Sequence, residues 1–354
     1  MGVLEGARVA EHLAVGAARA AQRLEQARQQ AGMAPGAMAC RPAQTVAVPR
    51  KPIDGDELLT DVRTALTHFA CWPSEAALVT ATLWAAAAHG KDEKTKLPIW
   101  QYSPRLFFTS SEGGSGKSWM ARLVGKLSPD GKMLVETTKA SLQRLIAKQC
   151  TVVVSELDVL VGNGGRTKWF TGLANAGYQR DVSTYRVDHG KELEIPLMCP
   201  MVLDGLETVI TATGAELKTL VSRCIVVHVK RAPASYRAPR FDDQAAAVFA
   251  RGRDKLGAFM AQQIQAGIAQ HVPDVPEGLG NRPADLWEPL FAVADAAEAS
   301  RDTRAGDGAN WPELARQACV DLESRGPAED EDAEASYRDA LSAWAGSAAA
   351  DEDA

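Results

Sequence analysis

Cysteine is scarce and scattered in this sequence, which argues against a disulfide framework or a cysteine zinc site. The six cysteines form no CxxC pair and have no histidine at zinc-ligand spacing, so we expect free thiols in a reducing compartment. No secretory leader opens the chain, and the longest apolar run, residues 76–88, is too short to cross a bilayer. The sequence therefore predicts a soluble, cytoplasmic protein without a membrane partner.

An excess of positive charge is also missing, since the formal net charge is -6. The charge is unevenly placed, however. Residues 327–354 contain nine acidic residues and one arginine, whereas residues 102–230 contain 16 basic residues against 12 acidic ones. The central part of the chain is thus mildly basic, which permits contact with nucleic-acid phosphates without requiring it.

Composition divides the chain into six segments, and no internal repeat is present. We expect a helical arm at 1–32, a proline-rich linker at 33–53, a helical N-terminal subdomain at 54–100, a core at 101–232, a further helical region at 233–326 and a disordered acidic tail at 327–354. The arm has only a thin apolar stripe, which favours an oligomer contact over a core element.

The core alternates short apolar runs with helical patterns. The runs are RLFFTS, MLVET, TVVVSEL, PMVLDGL and CIVVHVK, and each is typical of a strand buried on both faces. The segments between them have helical periodicity. This alternation predicts a doubly wound α/β fold with a parallel five-stranded sheet and flanking helices.

A glycine-rich string lies between the first predicted strand and the helix WMARLVGKL. Glycines let backbone N–H groups turn inward around phosphates, and the helix N-terminus adds positive charge. Lysine would reach the β- and γ-phosphates of ATP, and the following hydroxyl would bind Mg²⁺. The alternative is a chance glycine-rich turn, and serine stands where the GxxxxGK[ST] pattern has its first glycine. The predicted nucleotide-binding residues are Ser111, Glu112, Gly113, Gly114, Ser115, Gly116, Lys117 and Ser118.

A second motif, TVVVSELD at residues 151–158, is an apolar strand that ends in carboxylates. Such motifs usually end in Asp-Glu, in which the aspartate holds the Mg²⁺ shell and the glutamate polarises water. Ser155 stands in the place of the aspartate. Along a strand Glu156 and Asp158 would share one face. We therefore predict Glu156 as the general base, with Ser118, Ser155 and Asp158 as candidate metal residues.

Together these motifs resemble the AAA+ ATPases, and most closely a domain-of-unknown-function branch from actinobacteria, their phages and plasmids. The resemblance spans roughly residues 68–320 and rests on LWAAAAHG, SPRLFFTSSEGGSGKS, VVVSELD, LANAGYQRD, SRCIVVHVKR and NRPADLWEPLFAVAD. Members of that branch can carry serine at the first loop position, but they usually show aspartate where Ser155 stands. The resemblance implies a P-loop NTPase fold with a helical lid at 233–326, and Mg²⁺ and ATP as cofactors.

Three further site residues follow from the resemblance. Arg223 in Ser-Arg-Cys would be an arginine finger that acts on a neighbouring subunit, although it could instead cap a strand or pair with Glu216. Arg282 would be the second sensor arginine of the lid. Asp204 stands where a sensor-1 polar residue is expected to contact the nucleotide.

A β-hairpin is predicted at residues 183–195, where two alternating segments flank the turn 188–191. Its place in the chain is similar to that of the pre-sensor-1 hairpin of ring helicases, whose tip faces DNA. The candidate DNA contacts are His189, Lys191, Arg186 and Arg180. The alternative is an ordinary surface hairpin, since such turns favour Asp, Gly and Lys.

The sequence thus predicts a hexameric, Mg·ATP-dependent DNA motor of the replicative helicase kind, which acts on single-stranded DNA. Two alternatives stay open. One is a switch ATPase that loads, remodels or regulates a protein partner. The other is a degenerate ATPase that uses nucleotide for assembly, which the serine at position 155 favours.

Overall fold

Five short apolar segments form one parallel β-sheet in the computed structural model. β1 is Arg105–Ser110, β2 Lys132–Leu134, β3 Val152–Val154, β6 Met201–Leu206 and β7 Cys224–His228, while β4 (Ser183–Asp188) and β5 (Lys191–Pro196) pair separately as an antiparallel hairpin. The strand order is β2-β3-β6-β1-β7, and all neighbours are parallel. The predicted parallel five-stranded sheet and the predicted hairpin are both confirmed.

The structure describes residues 51–135, 137–162, 165–188, 191–211, 215–302 and 308–324. The predicted arm at 1–32, most of the linker at 33–53 and the acidic tail at 327–354 lie outside these residues. Within the described ranges, no helix is long and apolar enough to cross a membrane.

Helices connect the strands and cover the sheet. Four of them have an N-cap residue whose side chain accepts a hydrogen bond from a backbone N–H group of the first turn. These residues are Asp54, Ser74, Thr138 and Asp242. The helices are α1 Gly55–Phe69, α2 Glu75–Ala87, α3 Lys117–Leu127, α4 Lys139–Ala147, α5 Leu157–Gly162, α6 Gly165–Ala176, α7 Thr208–Thr211, α8 Ala215–Val221, α9 Asp243–Gln265, α10 Asn281–Ala299 and α11 Trp311–Ser324, with a 3₁₀ turn at Ile268–Gln270.

The two faces of the sheet pack against different helices, because successive strand residues point to opposite sides. The face with Phe108 and Val202 packs against α3 and, beyond it, α1, α2, α9, α10 and α11. The face with Phe107 and Leu203 packs against α4, α6 and α8. The helix α3 is therefore held between the sheet and a helical layer, which fixes its N-terminus beyond the end of β1.

Helices from both ends of the described chain share one hydrophobic cluster. The segment predicted as an N-terminal subdomain forms α1 and α2, and the segment predicted as a lid forms α9, α10 and α11. These five helices pack together. Every residue of α2 after Glu75 is buried, so the longest apolar run of the sequence is a core helix.

Candidate functional site

Two glycines shape the backbone of the loop between β1 and α3. Gly114 and Gly116 have φ angles of +76° and +96°, in the left-handed region that glycine enters without strain. A Cβ atom added to Gly113 would meet no other atom within 4 Å, so this part of the loop is open to a ligand. The predicted succession of strand, glycine loop and helix is present between Ser110 and Lys117.

The backbone N–H groups of this loop have no partner outside the loop in the described part of the chain. From Gly113 to Ser118, none donates a hydrogen bond to the backbone of a described residue elsewhere. The last of these groups belong to the first turn of α3, an 11-residue helix, where the helix dipole is positive. Unpaired N–H groups at a helix N-terminus form a binding site for phosphate or another anion.

Side chains of the loop form hydrogen bonds within it. Ser110 Oγ donates to the Glu112 carbonyl oxygen at 2.7 Å, and Ser115 Oγ donates to Ser110 Oγ at 2.9 Å. The Lys117 ammonium lies 3.4 Å from the same Glu112 oxygen, and Lys117 is only 9% exposed. Ser111 is exposed at the start of the loop. The lysine therefore lies folded along the loop whose N–H groups are unpaired.

A buried carboxylate lies beside the first turn of α3. Asp204, in β6, has no exposed surface, and its Oδ1 accepts hydrogen bonds from Ser118 Oγ at 2.7 Å and from the Glu156 backbone N–H at 3.3 Å. Burial raises the pKa of the Asp204 carboxyl, and the hydrogen bonds from Ser118 and Ser155 partly offset that rise. Its Oδ2 has no partner among the described residues. The structure thus joins the predicted sensor-1 residue to the predicted metal-binding serine.

The predicted strand over residues 151–158 is shorter than expected. β3 ends at Val154 and α5 begins at Leu157, because Glu156 adopts a left-handed φ of +57° that ends the extended backbone. Asp158 lies in the first turn of α5, where its Oδ1 accepts a hydrogen bond from the Leu206 N–H at 2.9 Å. The prediction that Glu156 and Asp158 share one face of a strand is therefore wrong.

Glu156 nevertheless remains next to the loop. Its N–H donates to Asp204, and its side chain is exposed, as contact with an attacking water requires. A non-glycine residue in the left-handed region costs on the order of 1 kcal/mol, and such strain concentrates at functional sites. This position suits a general base, and that role stays a prediction.

Arg231 is a site residue that the sequence interpretation missed. Its Nη2 donates to the Gly113 carbonyl oxygen at 3.1 Å, and its Nε lies 3.6 Å from the Glu112 carboxylate. Both side chains of that ion pair are exposed, so it adds little stability. The available signal was the basic pair Lys230-Arg231 just after the last strand, where a parallel sheet brings the strand end close to the loop after β1.

The two remaining predicted arginines lie at the opposite end of the sheet. The backbone of Arg223 pairs with the first residue of β1, Arg105, at 3.1 Å, whereas the glycine loop follows the last. A six-residue strand is about 20 Å long, so Arg223 cannot reach a ligand in its own loop. Arg282 Nη1 donates to Ser222 Oγ at 2.9 Å, and Arg282 therefore does not share a site with Lys117 within one copy.

Arg223 is held by neighbours that leave part of it unpaired. Its Nη1 donates to the Thr219 carbonyl oxygen at 2.8 Å, and its guanidinium lies 5.5 Å from the ring centre of Tyr178. Its Nε is buried without a partner among the described residues. The side chain of Glu216, the alternative partner considered for Arg223, lies outside the described residues.

The hairpin has the predicted pair of strands. β4 and β5 pair from Ser183 with Pro196 to Asp188 with Lys191, so the turn is the two residues His189 and Gly190, which lie outside the described residues. The side chain of Lys191 is likewise not described.

The other predicted DNA contacts lie along the stem of the hairpin and at its base. Arg186 is half-buried on β4, and Arg180 is exposed below the hairpin, where it donates to the Ile99 carbonyl oxygen at 3.2 Å. Glu192 and Glu194 are also exposed on β5. The stem thus offers acidic as well as basic groups to a partner.

The residues present fit a magnesium ion that shares its ligands with a nucleotide. No cluster of three or more His, Cys, Asp or Glu side chains in the described part of the chain could hold a metal by itself. Mg²⁺ is usually bound through one or two protein groups, several waters and substrate phosphates. The Ser118 hydroxyl and the Asp204 carboxylate beside the glycine loop are oxygen ligands of this kind.

Comparison with known proteins adds one partial match. Residues 229–350 match the family described as "Protein of unknown function (DUF3631)". This segment starts just after β7 and includes α9, α10 and α11, but it excludes the sheet and the glycine loop. No curated protein matches the chain.

Proposed function

We propose that this chain is an Mg·ATP-dependent ATP hydrolase of the AAA+ type that works as an oligomer. The observation that carries the proposal is the glycine loop after β1, where unpaired N–H groups, Lys117 and Ser118 lie beside the buried Asp204 carboxylate. N–H donors and an ammonium suit the phosphates of a nucleoside triphosphate. A hydroxyl and a carboxylate suit the magnesium ion that accompanies them.

Each residue of the site has a role that its position supports. Lys117 would leave the Glu112 carbonyl to bind the β- and γ-phosphates, while the loop N–H groups hold the phosphate oxygens. Mg²⁺, when bound, neutralises charge on the transferred phosphoryl group. Glu156, exposed next to the loop, would orient the attacking water and accept its proton.

A second copy of the chain is needed to complete this site. The opposite position of Arg223 and the loop within one copy supports action between copies, as in a ring. Arg223 of one copy would then stabilise charge on the γ-phosphate held by its neighbour. A hexamer is the assembly that the AAA+ resemblance implies.

The proposed substrate of this motor is single-stranded DNA. Lys191 directly follows the two-residue turn of the hairpin, and the region from 102 to 230 has more basic than acidic residues. In a ring, repeated basic tips would contact the phosphate backbone without reading its sequence, and binding would weaken with salt.

The surface of the hairpin also favours a second candidate, a switch ATPase that remodels a protein partner. Tyr185 is 62% exposed and Leu193 48% exposed, and Glu192 and Glu194 are exposed beside them. Exposed apolar side chains between carboxylates suit a protein surface better than a phosphate backbone.

Phosphate release in Mg·ATP, with and without single-stranded DNA, separates these candidates. We expect turnover that DNA increases, and no turnover above background with Lys117→Ala. The double variant His189→Ala/Lys191→Ala should lose the DNA stimulation but keep basal turnover, and Lys148→Ala, which changes an exposed lysine just after α4, is the control. Turnover that ignores DNA would favour the protein-remodelling switch, and no turnover despite ATP binding would favour a degenerate ATPase.

A further inference from the structure

We infer that Asp204 on β6 supplies the carboxylate of the Mg²⁺ site, in place of a residue on β3. The inference rests on the proposed function, because it assigns a metal residue within the proposed ATP site. It replaces the sequence-based assignments of Ser155 and Asp158 to the metal, and it gives Asp204 a role other than that of a sensor for the nucleotide.

Asp204 lies directly beside the end of β3. Val154 on β3 is paired with Leu203 on β6, so the next residues, Ser155 and Asp204, follow side by side. Adjacent strands are about 4.8 Å apart, and the Ser155 hydroxyl interacts with the Asp204 carboxyl. The carboxylate missing at the end of β3 is therefore present one strand away.

The first turn of α3 presents Ser118 to this carboxylate. Val202, two residues before Asp204, packs on the face of the sheet that α3 covers, and alternation along the strand points Asp204 to the same face. The 2.7 Å hydrogen bond from Ser118 Oγ to Asp204 Oδ1 follows from this arrangement. A cation bound at Ser118 would thus lie next to the Asp204 carboxylate.

Apart from the exposed Glu156, which is assigned to the attacking water, the nearby carboxylates are engaged elsewhere. Asp158 accepts a hydrogen bond from the backbone of β6, Glu207 lies 3.2 Å from His228, and Glu112 lies 3.6 Å from Arg231. Among the described residues, the carboxylate that contacts Ser118 is that of Asp204.

One oxygen of Asp204 is unsatisfied among the described residues. The side chain is completely buried, and Oδ2 has no hydrogen-bond partner among the described residues. A buried carboxylate is costly unless a donor or a cation compensates it. A hydrated Mg²⁺ at Ser118 would provide that compensation, either directly or through one of its waters.

The test is the Mg²⁺ dependence of ATP binding, measured by titration of a fluorescent ATP analogue at fixed MgCl₂ concentrations and in EDTA. Asp204→Asn keeps the size of the side chain and an acceptor for Ser118 but loses the charge. We expect this variant to bind the analogue in EDTA as the wild type does, and to need about 10- to 100-fold more Mg²⁺ for tight binding. Asp158→Asn should keep the wild-type requirement for Mg²⁺.

A double variant that exchanges the side chains at positions 155 and 204 shows whether a loss of Mg²⁺ affinity in Asp204→Asn comes from misfolding. The double variant Ser155→Asp/Asp204→Ser returns the carboxylate to β3, and we expect it to recover most of the Mg²⁺ affinity. An unchanged Mg²⁺ requirement in Asp204→Asn, or a loss confined to Asp158→Asn, overturns the assignment of Asp204. Failure of the wild type to bind the analogue under any condition overturns the proposed function instead.

Discussion

The two ends of the parallel sheet carry opposite chemistry. At the carboxyl ends of the strands, N–H groups from Gly113 to Ser118 have no partner outside their loop among the described residues, and a carboxylate, Asp204, is buried beside them. At the amino ends, buried basic side chains donate to backbone carbonyl groups. Arg105 donates to Cys199 and Ala174 at 2.8 and 3.0 Å.

Two further donors, both partly buried, repeat this pattern near the amino ends of the strands. His89 Nε2 lies 2.8 Å from the carbonyl oxygen of Leu127, the last residue of α3. Lys91 donates to the carbonyl oxygen of Gln149, just after α4. Helices that connect parallel strands return in the opposite direction, so their C-terminal carbonyl groups gather at this end of the sheet.

The difference shows where the molecule has left room for a ligand. At the amino ends, Arg105, Lys91 and His89 donate to backbone carbonyls, among them those of Ala174 and Leu127 near the ends of helices. At the carboxyl ends, the N–H groups at the start of α3 have no partner outside their loop among the described residues, as is common where open parallel sheets bind their ligands. The first of these ends therefore supports the fold, and the second forms the candidate site.

Replacement of Arg223 should have the largest effect. It tests whether Arg223, at the amino end of the sheet in one copy, acts on the nucleotide site at the carboxyl end of the sheet in another copy. We expect Arg223→Ala to reduce ATP turnover by about 10³-fold, with ATP affinity little changed. Steady-state phosphate release and equilibrium binding measure the two quantities, and the exposed Arg144→Ala on α4 is the matched control.

A mixture of two inactive variants sharpens this prediction. Lys117→Ala lacks a working loop but keeps Arg223, and Arg223→Ala has the reverse defect. In mixed oligomers some sites combine an intact loop with an intact arginine, so turnover should return. If the mixture stays inactive although the variants co-assemble, Arg223 does not act between copies.

Arg105→Met should give the next largest effect, which is a decrease in the free energy of unfolding. Loss of the guanidinium would leave the Cys199 and Ala174 carbonyls without these donors, at about 1–3 kcal/mol for each buried group. We expect the free energy of unfolding, measured with urea, to fall by about 3 kcal/mol, against little change for Arg144→Met. Unchanged stability would mean that the cost of burying the Arg105 charge offsets its hydrogen bonds.

The smallest predicted effect is a pH dependence at His89. Burial lowers the pKa of His89 to about 4, so below pH 6.5 the unfolded chain takes up a proton that the folded protein does not. Stability should therefore fall as the pH decreases, by about 2 kcal/mol between pH 7.5 and 5.0 for this group.

The variant His89→Gln isolates the histidine, because glutamine can donate to the Leu127 carbonyl without titrating. Urea unfolding at the two pH values should show a smaller decrease for the variant than for the wild type. Equal decreases would assign the pH dependence to other groups, such as His68, whose pKa is also lowered by burial.

Local patterns in the sequence were sufficient for the parts of the fold that adjacent residues determine. The apolar runs gave the strands, and the glycines before Lys117 gave a loop followed by a helix. The alternating segments around residues 188–191 likewise gave a hairpin. Each of these features depends on residues close together in the chain, where periodicity and turn chemistry are informative.

The arrangement of the site depended on contacts that the sequence does not encode locally. Ser118 and Asp204 are 86 residues apart, and they meet because β6 lies between β1 and β3. Arg231 and Gly113 are 118 residues apart. The left-handed φ of Glu156 was also not predictable, since the apolar run before it suggested that the strand continued.

The most direct test of the account is calorimetric titration of the purified protein with ATP in the presence of Mg²⁺. The wild type should bind ATP, and Lys117→Ala should bind it at least about tenfold more weakly, because it loses a charge-assisted contact of about 1.5–3 kcal/mol. Lys148→Ala, which changes an exposed lysine at the other end of the sheet, should bind as the wild type does. Equal affinity of all three proteins, or no binding by the wild type, would contradict the assignment of the carboxyl end of the sheet as a nucleotide site.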